Sequence, residues 1–319
     1  MARATAAATA AVLCRGAGKR FGSTWVVRGL DLQLEPGTIL GLIGPSGCGK
    51  TTTMRLINGA YHPDEGDVAV FGAPPSRLDT ARRVSIGYLP QRPVLFEDLS
   101  LWQNLLFHAS LNGVRRRGRR ARLLRQLELV DLGEDRRKLV RNSSGGMQRR
   151  LALAATLAHR PPLLLLDEPT AGIDPILRQR FWDHFRALRD EGHTLVVTTQ
   201  YVGEAARCDV VGLLAEGAMV AYGTPSALHR AAYGGERIEV ETDRLPTEEA
   251  VDELRRLDGV RSADVVSDRR LRLVVDDAGA ALPQVVQHLQ VRGLHAVDAG
   301  EVAVDYDDVF IRLVTRARA

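Results

Sequence analysis

The chain has 319 residues, of which 45% are hydrophobic and 26% charged, and its formal net charge is +4. A chain of this length and hydrophobic content can build about two folded domains with a sizeable core. No segment approaches the run of about 18 apolar residues that would span a bilayer, so we expect no transmembrane helix in this chain. The three cysteines, Cys14, Cys48 and Cys208, are widely spaced without metal-ligand spacing, which favours a reducing cytoplasm over a disulfide framework.

The N-terminus is predicted to be a disordered tail over residues 1–10 that leads into a strand. Its Ala/Thr stretch contains one Arg and little Leu or Ile, which is atypical of a signal peptide. Leu13 before Cys14 is too large for a usual lipoprotein cleavage site.

Much of the positive charge lies in one segment, RRRGRRARLLR at 115–125. Such a run could contact nucleic acid or anionic lipid. It holds no aromatic residue that could stack on bases, and a solvated, Arg-rich start of a helix explains it more simply. We therefore expect no nucleic-acid partner.

From residue 38 to residue 200 the chain alternates predicted strands with helices. Residues 38–44, TILGLIG, predict a buried strand that runs into the glycine-rich loop GPSGCGKTT at 44–52, and a helical pattern follows the loop. Apolar runs at 163–169 and 194–200 predict two further strands, which a helical segment separates. The segment 96–160 is predicted to be largely helical, because its apolar residues recur at three- and four-residue spacing. This order predicts an α/β fold with parallel strands.

Beyond Gly234 and Gly235, short strands alternate with helices in a new pattern. We therefore predict two domains, 11–232 and 233–319. The order of elements in the second predicts a small α+β domain of ferredoxin-like βαββαβ type. Its acidic residues are typical of turns and caps and form no catalytic cluster, so we expect a role in dimer support or regulation.

The loop at 44–52 carries the pattern Gly, four residues, Gly, Lys, Ser or Thr. Its glycines allow backbone amides to surround phosphate groups, while Lys50 neutralises the phosphates and Thr51 can hold magnesium. A bulky adduct on the Cys48 thiol is expected to block access of the nucleotide. The residues of the loop predicted to bind a nucleotide are Gly44, Ser46, Gly47, Cys48, Gly49, Lys50, Thr51 and Thr52.

Two acidic residues follow the apolar run at 163–166. Asp167 would stand at the end of a buried strand, where its carboxylate can support a metal ion. Glu168, beside it, is the candidate base that polarises an attacking water. Because a hydrolase needs this second carboxylate and a nucleotide kinase does not, the pair predicts nucleotide hydrolysis.

Over about residues 11–225 the chain resembles the ATP-binding cassette ATPases, the nucleotide-binding subunits of ABC transporters. The resemblance rests on motifs that follow the order and spacing of the family: KRFG, GPSGCGKTT, GYLPQ, SSGGMQ, LLLLDEP, AGID and TTQY. It implies a P-loop NTPase fold, with a RecA-like core, an antiparallel β subdomain and a helical subdomain over about 96–160. It also implies ATP and Mg²⁺ as cofactors, with Thr51, Gln91 and Asp167 at the metal.

The resemblance assigns roles to residues outside the two central motifs. Phe21 would stack on adenine, and Gln91 would link the nucleotide to the helical subdomain and to a permease. Asp174, in the segment after the acidic pair, is assigned to nucleotide binding. Gln200 stands where most members have a histidine that contacts the γ-phosphate. Its amide can donate the same hydrogen bond but carries no proton or charge.

A second glycine-containing segment, NSSGGMQRR at 142–150, precedes a helical pattern. Ser144, Gly145 and Gly146 would present a hydroxyl and free amides at the positive end of that helix, where a phosphate is favoured. In the family, this signature closes on the ATP held by the phosphate loop of another copy. The resemblance therefore implies a head-to-tail dimer with two ATP molecules at its interface. Ser143 stands where Leu usually opens the signature, which is expected to loosen the packing behind the loop.

TTQYVGEA and the C-terminal DYDDVFIRLV are similar to the drug-resistance exporters of the daunorubicin-resistance type, whose ATPase and permease are separate chains. This implies export of drugs or other small hydrophobic compounds, with the chain cytoplasmic and peripheral on the inner face of the cell membrane through the permease. The alternative is an import ATPase with a regulatory C-terminal domain, for which an all-β barrel would be expected. A non-transport cassette ATPase fits less well, because residues 53–141 are too few for a long coiled coil and the chain holds a single cassette.

Overall fold

The computed structural model of the chain describes residues 10–302 and 305–318. The predicted tail at 1–10 lies outside the described residues, except for Ala10, which is buried. Within the described part, no helix combines the length and the apolar character that crossing a bilayer requires. The chain divides into two units, Met1–Tyr222 and Gly223–Ala319.

The first unit contains two sheets and a set of helices. Its strands are, in chain order, β1 (Val12–Phe21), β2 (Thr24–Leu34), β3 (Ile39–Ile43), β4 (Glu65–Val70), β5 (Ile86–Leu89), β6 (Leu163–Asp167), β7 (Thr194–Thr199), β8 (Val210–Ala215) and β9 (Ala218–Gly223). Its α-helices are α1 (Lys50–Ile57), α2 (Thr80–Arg83), α3 (Leu101–Leu111), α4 (Arg119–Leu129), α5 (Gly145–Leu157) and α6 (Pro175–Asp190). Short 3₁₀ helices lie at Pro75–Arg77, Glu134–Arg137, Val140–Asn142 and Val202–Arg207.

The two sheets differ in strand direction. β1 pairs antiparallel with β2 and with β4, which gives the order β2-β1-β4. The larger sheet has the order β5-β6-β7-β3-β8-β9, and its pairs from β5 to β8 are parallel. Every residue of β3, β6 and β7 is buried, as expected for parallel strands covered on both faces. The buried parallel strands and the antiparallel β subdomain are thus confirmed.

The register of the larger sheet brings three segments to one edge. Ile43, at the end of β3, aligns with Thr199 of β7 and with Leu213 of β8. Asp167, at the end of β6, aligns with Thr198 of β7. Because ligands of open parallel sheets bind at the carboxyl ends of the strands, this edge is where a site is expected.

The segment 96–160 folds as α3, α4 and α5 with two of the short 3₁₀ helices, so its predicted helical character is confirmed. A capping box starts α3, in which Ser100 and Gln103 exchange side-chain to backbone hydrogen bonds. The Arg-rich run leads into α4 and forms the start of that helix, as predicted.

The second unit is a four-stranded antiparallel sheet with helices. Its elements are α7 (Pro225–Tyr233), β10 (Glu236–Thr242), α8 (Glu248–Leu254), β11 (Val260–Ser267), β12 (Arg270–Val275), α9 (Ala278–Val291), β13 (Ala296–Glu301) and α10 (Tyr306–Arg318). The sheet has the order β11-β12-β10-β13, and Val240 and Leu273 of its strands share a core with Leu254 of α8 and Leu289 of α9. The run from β10 to β13 is the predicted ferredoxin-like βαββαβ order.

The observed division between the units comes before α7, whereas the predicted boundary between residues 232 and 233 falls at its end. α7 contacts β10 and α10, so it groups with the second unit. Gly234, which suggested the boundary, is the left-handed C-cap of α7, with φ of 81°. The glycine pair therefore marks the end of a helix inside the unit.

Candidate active site

The phosphate loop joins the end of β3 to the start of α1, which is the predicted strand, loop and helix context. Gly47 and Gly49 have φ of 81° and 106°, in the region that favours glycine. A Cβ on Gly44 would lie 2.2 Å from the carbonyl oxygen of Leu214, and one on Gly49 would lie 2.8 Å from that of Val26. The loop can follow this path only because these positions lack side chains.

Lys50, the first residue of α1, is buried and folds back over the loop. Its Nζ donates to the carbonyl oxygens of Gly44 at 2.7 Å and Pro45 at 3.0 Å. Since an ammonium group has three donors, Lys50 can add a phosphate oxygen to these two acceptors. The loop thus combines backbone amides with one positive charge.

Asp167 is fully buried and holds two hydroxyl groups. Its Oδ2 accepts from Thr51 Oγ1 at 2.8 Å, and its Oδ1 accepts from Thr198 Oγ1 at 2.6 Å. A hydroxyl and a carboxylate side by side are oxygen donors of the kind that Mg²⁺ prefers, so the residues present fit that ion. The structure brings Thr51 and Asp167 together as predicted, and it adds Thr198, which the sequence did not single out.

Glu168 has an unusual backbone and a carboxylate close to Gln91. Its φ is 51°, which non-glycine residues rarely adopt. Its backbone N–H donates to Thr198, to the carbonyl oxygen at 3.2 Å and to Oγ1 at 2.9 Å. Gln91 Nε2 donates to Glu168 Oε2 at 3.4 Å, so the Gln91 side chain contacts the candidate base. A cleft of about 170 Å³ is lined by Val26, Ser46, Gly47, Gly49, Lys50, Thr51, Thr52, Gln91 and Glu168.

Gln200 follows β7 and reaches the phosphate loop. Ser46 Oγ donates to Gln200 Oε1 at 3.4 Å. The structure therefore brings Gln200, the residue predicted to contact the γ-phosphate, from the end of β7 to the phosphate loop. Asp174, in contrast, caps α6 by accepting from Leu177 N at 2.9 Å and is not among the residues that line the cleft.

Phe21 ends β1, and its ring is 45% exposed. The ring packs edge-on against Tyr61, with centroids 5.3 Å apart, and Lys19 Nζ lies 5.8 Å from its centroid. An exposed aromatic face is what stacking on a base needs. Tyr61 and Lys19 contact this ring. Lys19 belongs to the KRFG motif, whereas no motif in the sequence identifies Tyr61.

Cys48 lies inside the loop, but its thiol faces inward. The residue is buried, and its Sγ would lie 2.7 Å from a Cβ on Gly44. Burial raises the pKa of the thiol above its ordinary value. Cys48 is not among the residues that line the cleft, so its thiol is directed toward Gly44 and not into the cleft. The expectation that a bulky thiol adduct blocks access of the nucleotide stays a prediction.

The signature segment stands apart from this cleft. Ser144 caps α5, with its Oγ accepting from Met147 N at 3.3 Å, and Ser144, Gly145 and Gly146 are exposed. A Cβ on Gly145 would meet nothing within 4 Å. Ser143, the departure from the family pattern, donates its hydroxyl to the carbonyl oxygen of Leu139 at 3.0 Å, which satisfies the polar group behind the loop.

The comparisons with known proteins agree with this geometry. Residues 27–171 match the family model described as "ABC transporter". The daunorubicin resistance ATP-binding protein DrrA3 of Streptomyces coeruleorubidus is 40% identical over 308 residues, which cover 96% of each chain. The probable multidrug ABC transporter ATP-binding protein YbhF of Escherichia coli (strain K12) is 34% identical over 89% of this chain and 48% of its own.

A solved structure shows the same fold. It is a dimeric ATP-binding cassette in a post-hydrolysis state, bound to ADP and Pi, with a TM-score of 0.61 and 25% identity over 67% of this chain and 98% of that chain. The core with its parallel sheet thus has the fold of an ATP-binding cassette. The chain belongs to the ATP-binding subunits of ABC transporters, and it is an ATPase of that family.

Proposed function

We propose that the chain drives an exporter of drugs or other small hydrophobic compounds, as a head-to-tail dimer bound to a separate permease at the inner face of the membrane. The observation that carries this proposal is the cleft itself. Lys50, Thr51 and Glu168 line it, and no residue of the signature is among its described lining residues. The names of the similar proteins, which refer to daunorubicin resistance and to multidrug transport, support the class of compound.

Within the cleft, each residue has a distinct proposed task. Lys50 neutralises the β- and γ-phosphates, and the loop amides donate to their oxygens. Thr51 and Asp167 would hold Mg²⁺, which supplies positive charge to the phosphates when it is bound. Glu168 polarises the attacking water, and Gln200 donates to the γ-phosphate. Gln91 donates to Glu168 and is proposed to link the nucleotide to the helical subdomain and the permease.

The dimer is proposed from the open face of the signature. Ser144, Gly145 and Gly146 lie at the start of the 13-residue helix α5, whose amides and dipole favour an anion. Among the residues that the structure describes, none lies within 4 Å of a Cβ built on Gly145. In a twofold, head-to-tail pair, the ATP bound by one chain would contact the signature of the other. The Ser144 hydroxyl and the amides at the start of α5 would then donate to its phosphate.

The permease is proposed to bind next to the Gln91 loop. Four large apolar side chains are exposed there, namely Val94, Phe96, Phe107 and Leu111. The rings of Phe96 and Phe107 pack edge-on, with centroids 4.7 Å apart. Beside them lies a mostly apolar cavity of about 370 Å³, lined in part by Tyr88 and Val94. An exposed apolar surface of this kind is typical of a protein interface.

The C-terminal unit favours an exporter over the import alternative. An import ATPase with a regulatory domain was expected to carry an all-β barrel, whereas the second unit has helices between its strands. We propose that this unit supports the dimer or regulates it.

Transport into inside-out vesicles tests the proposed function. The chain is co-expressed with the candidate permease, and ATP-dependent accumulation of a panel of fluorescent hydrophobic drugs is followed. We expect accumulation with the wild type and none with Lys50→Ala or without the permease. Hydrolysis of ATP without accumulation of any compound, or uptake into right-side-out vesicles, would contradict export.

A further inference from the structure

Arg149, on the same helix as the signature, binds the acidic segment of its own chain. α5 starts with Gly145 after the cap at Ser144, so Arg149 lies one turn inside it. Its Nη2 donates to the backbone carbonyl oxygen of Glu168 and, at 3.4 Å, to that of Asp167. The side chain is half-buried, and its Nε is buried without a partner among the described residues. A single guanidinium thus links the signature helix to both residues of the acidic pair.

These contacts hold a backbone that needs support. Glu168 has a φ of 51°, a conformation that persists at a non-glycine residue only where the surroundings impose it. Thr198 holds its N–H, and Arg149 holds its carbonyl oxygen. Because the backbone is held on both sides, the point from which the Glu168 side chain starts is fixed, and Gln91 donates to its carboxylate. Positioning of this kind contributes strongly to catalysis.

We propose that Arg149 is a positioning residue that sets the Glu168 carboxylate and couples it to the signature of the same chain. The inference rests on the proposed roles of Glu168 and of the signature in a dimer. When Ser144 and Gly145 close on the phosphate of another copy, the start of α5 is fixed. The guanidinium one turn further along then fixes the carbonyl of Glu168. ATP bound in the cleft of one copy would thereby affect the position of the Glu168 carboxylate in the other copy.

The geometry also suggests a graded test. Both carbonyl oxygens accept from a single nitrogen of Arg149, Nη2. An ammonium group that reaches this point can therefore replace part of the contact. The next residue provides a matched control. Arg150 donates to the carbonyl oxygens of Val130 at 2.9 Å and Asp131 at 3.0 Å, so its contacts are with a different segment from the acidic pair.

The first test compares Arg149→Ala, Arg149→Lys and Arg150→Ala by steady-state ATP hydrolysis. A misplaced catalytic group typically costs about a hundred-fold in rate, so we expect kcat of Arg149→Ala to fall by about that factor. The KM for ATP should change by less than about threefold, because the phosphate loop is intact. Arg149→Lys should retain an intermediate rate, and guanidinium ion in the assay should restore part of the Arg149→Ala activity. Arg150→Ala should keep its kcat.

The second test places Arg149→Ala in a Glu168→Gln chain and measures single-turnover hydrolysis. If Arg149 acts through Glu168, the double variant should be no slower than Glu168→Gln alone, because the group that it positions has already been removed. An equal loss of rate in both backgrounds, or a normal kcat in Arg149→Ala, would overturn the inference. A Glu168→Gln chain with normal turnover would instead refute the assignment of the base. Should Arg149→Ala fail to fold, the same comparison is made with Arg149→Lys.

Discussion

The phosphate loop and the signature are both glycine-containing segments at the starts of helices, and their glycines serve different purposes. In the phosphate loop, a Cβ on Gly44 would lie 2.2 Å from the carbonyl oxygen of Leu214, so the chain itself excludes a side chain. In the signature, a Cβ on Gly145 would meet nothing within 4 Å. The fold of one chain explains the first glycine and not the second.

This difference indicates where the second requirement lies. Glycine at an open helix start lets another molecule approach the backbone closely, and the exposed amides there favour a phosphate. Within the chain, Thr51 of the phosphate loop donates to Asp167, and Gln91 donates to Glu168. The signature residues Ser144, Gly145 and Gly146 are exposed. We propose that they contact ATP bound to a second copy of the chain, so the functional unit is a pair of chains.

The largest effect is expected from Glu168→Gln, which removes the proposed base and leaves the residues of the phosphate loop unchanged. General base catalysis contributes about 10²- to 10⁴-fold, so phosphate release should fall by a factor in that range while ATP still binds. Glu97→Gln, which neutralises an exposed carboxylate on the same unit, serves as the control and should hydrolyse normally. Retention of more than about a tenth of the wild-type rate would leave another group as the base.

Gln200 is expected to have the next largest effect. Gln200→Ala should lose about a hundred-fold in turnover with little change in ATP binding, because one donor aimed at developing charge is lost. Gln200→His should preserve activity and add a titration near the ordinary histidine pKa of about 6.5, which the wild type should lack at this position. ATPase rates of the three proteins between pH 5.5 and 8.5 provide the measurement. Near-normal turnover in the alanine variant would leave Gln200 with a structural role only.

Alanine at the two glycines sharpens the comparison directly. Gly44→Ala should lower the thermal unfolding midpoint, because forcing a methyl group against a backbone oxygen typically costs about 1–3 kcal/mol. Gly145→Ala should leave the midpoint unchanged or raise it slightly, since alanine favours a helix by up to about 1 kcal/mol over glycine. It should nevertheless slow ATP hydrolysis. Normal hydrolysis by Gly145→Ala would show that the close approach at the signature does not occur.

The smallest effect is expected at Cys48. Because burial raises the pKa of this thiol, little thiolate is present at pH 8, and its alkylation should be slow and should speed up as the pH rises further. Adding MgATP should change the rate little, since the thiol faces away from the cleft. Mass spectrometry of iodoacetamide-treated protein, with urea-unfolded protein as the control, measures this. Rapid alkylation that MgATP prevents would place the thiol in the cleft.

The sequence predicts the parts of this site that local patterns encode. The buried run before Gly44 and the run that ends at Asp167 predict strands, and parallel pairing then brings their ends to one edge. The same holds for the helical segment 96–160 and for the βαββαβ order of the second unit. In each case the spacing of apolar residues reflects burial against neighbouring elements.

Other features depend on contacts that no local pattern contains. Thr198 and Arg149 reach the acidic pair from a neighbouring strand and from a distant helix, and neither belongs to a motif that names its partner. Glu168 has a positive φ, and those two residues contact its backbone N–H and carbonyl oxygen. The inward orientation of Cys48 follows from the path of the loop, and the division before α7 follows from packing against α10, which lies at the far end of the chain.

The proposed completion of each site by a second copy is tested most directly by size-exclusion chromatography of Glu168→Gln with ATP and Mg²⁺. We expect this variant to hydrolyse ATP very slowly while its phosphate loop and its signature are unchanged, so an ATP-bound dimer should accumulate. We predict that the protein elutes as a monomer without nucleotide and as a dimer with it, and that a second substitution, Gly145→Ala, returns it to the monomer position. A Glu168→Gln chain that stays monomeric at saturating ATP would contradict the two-chain site.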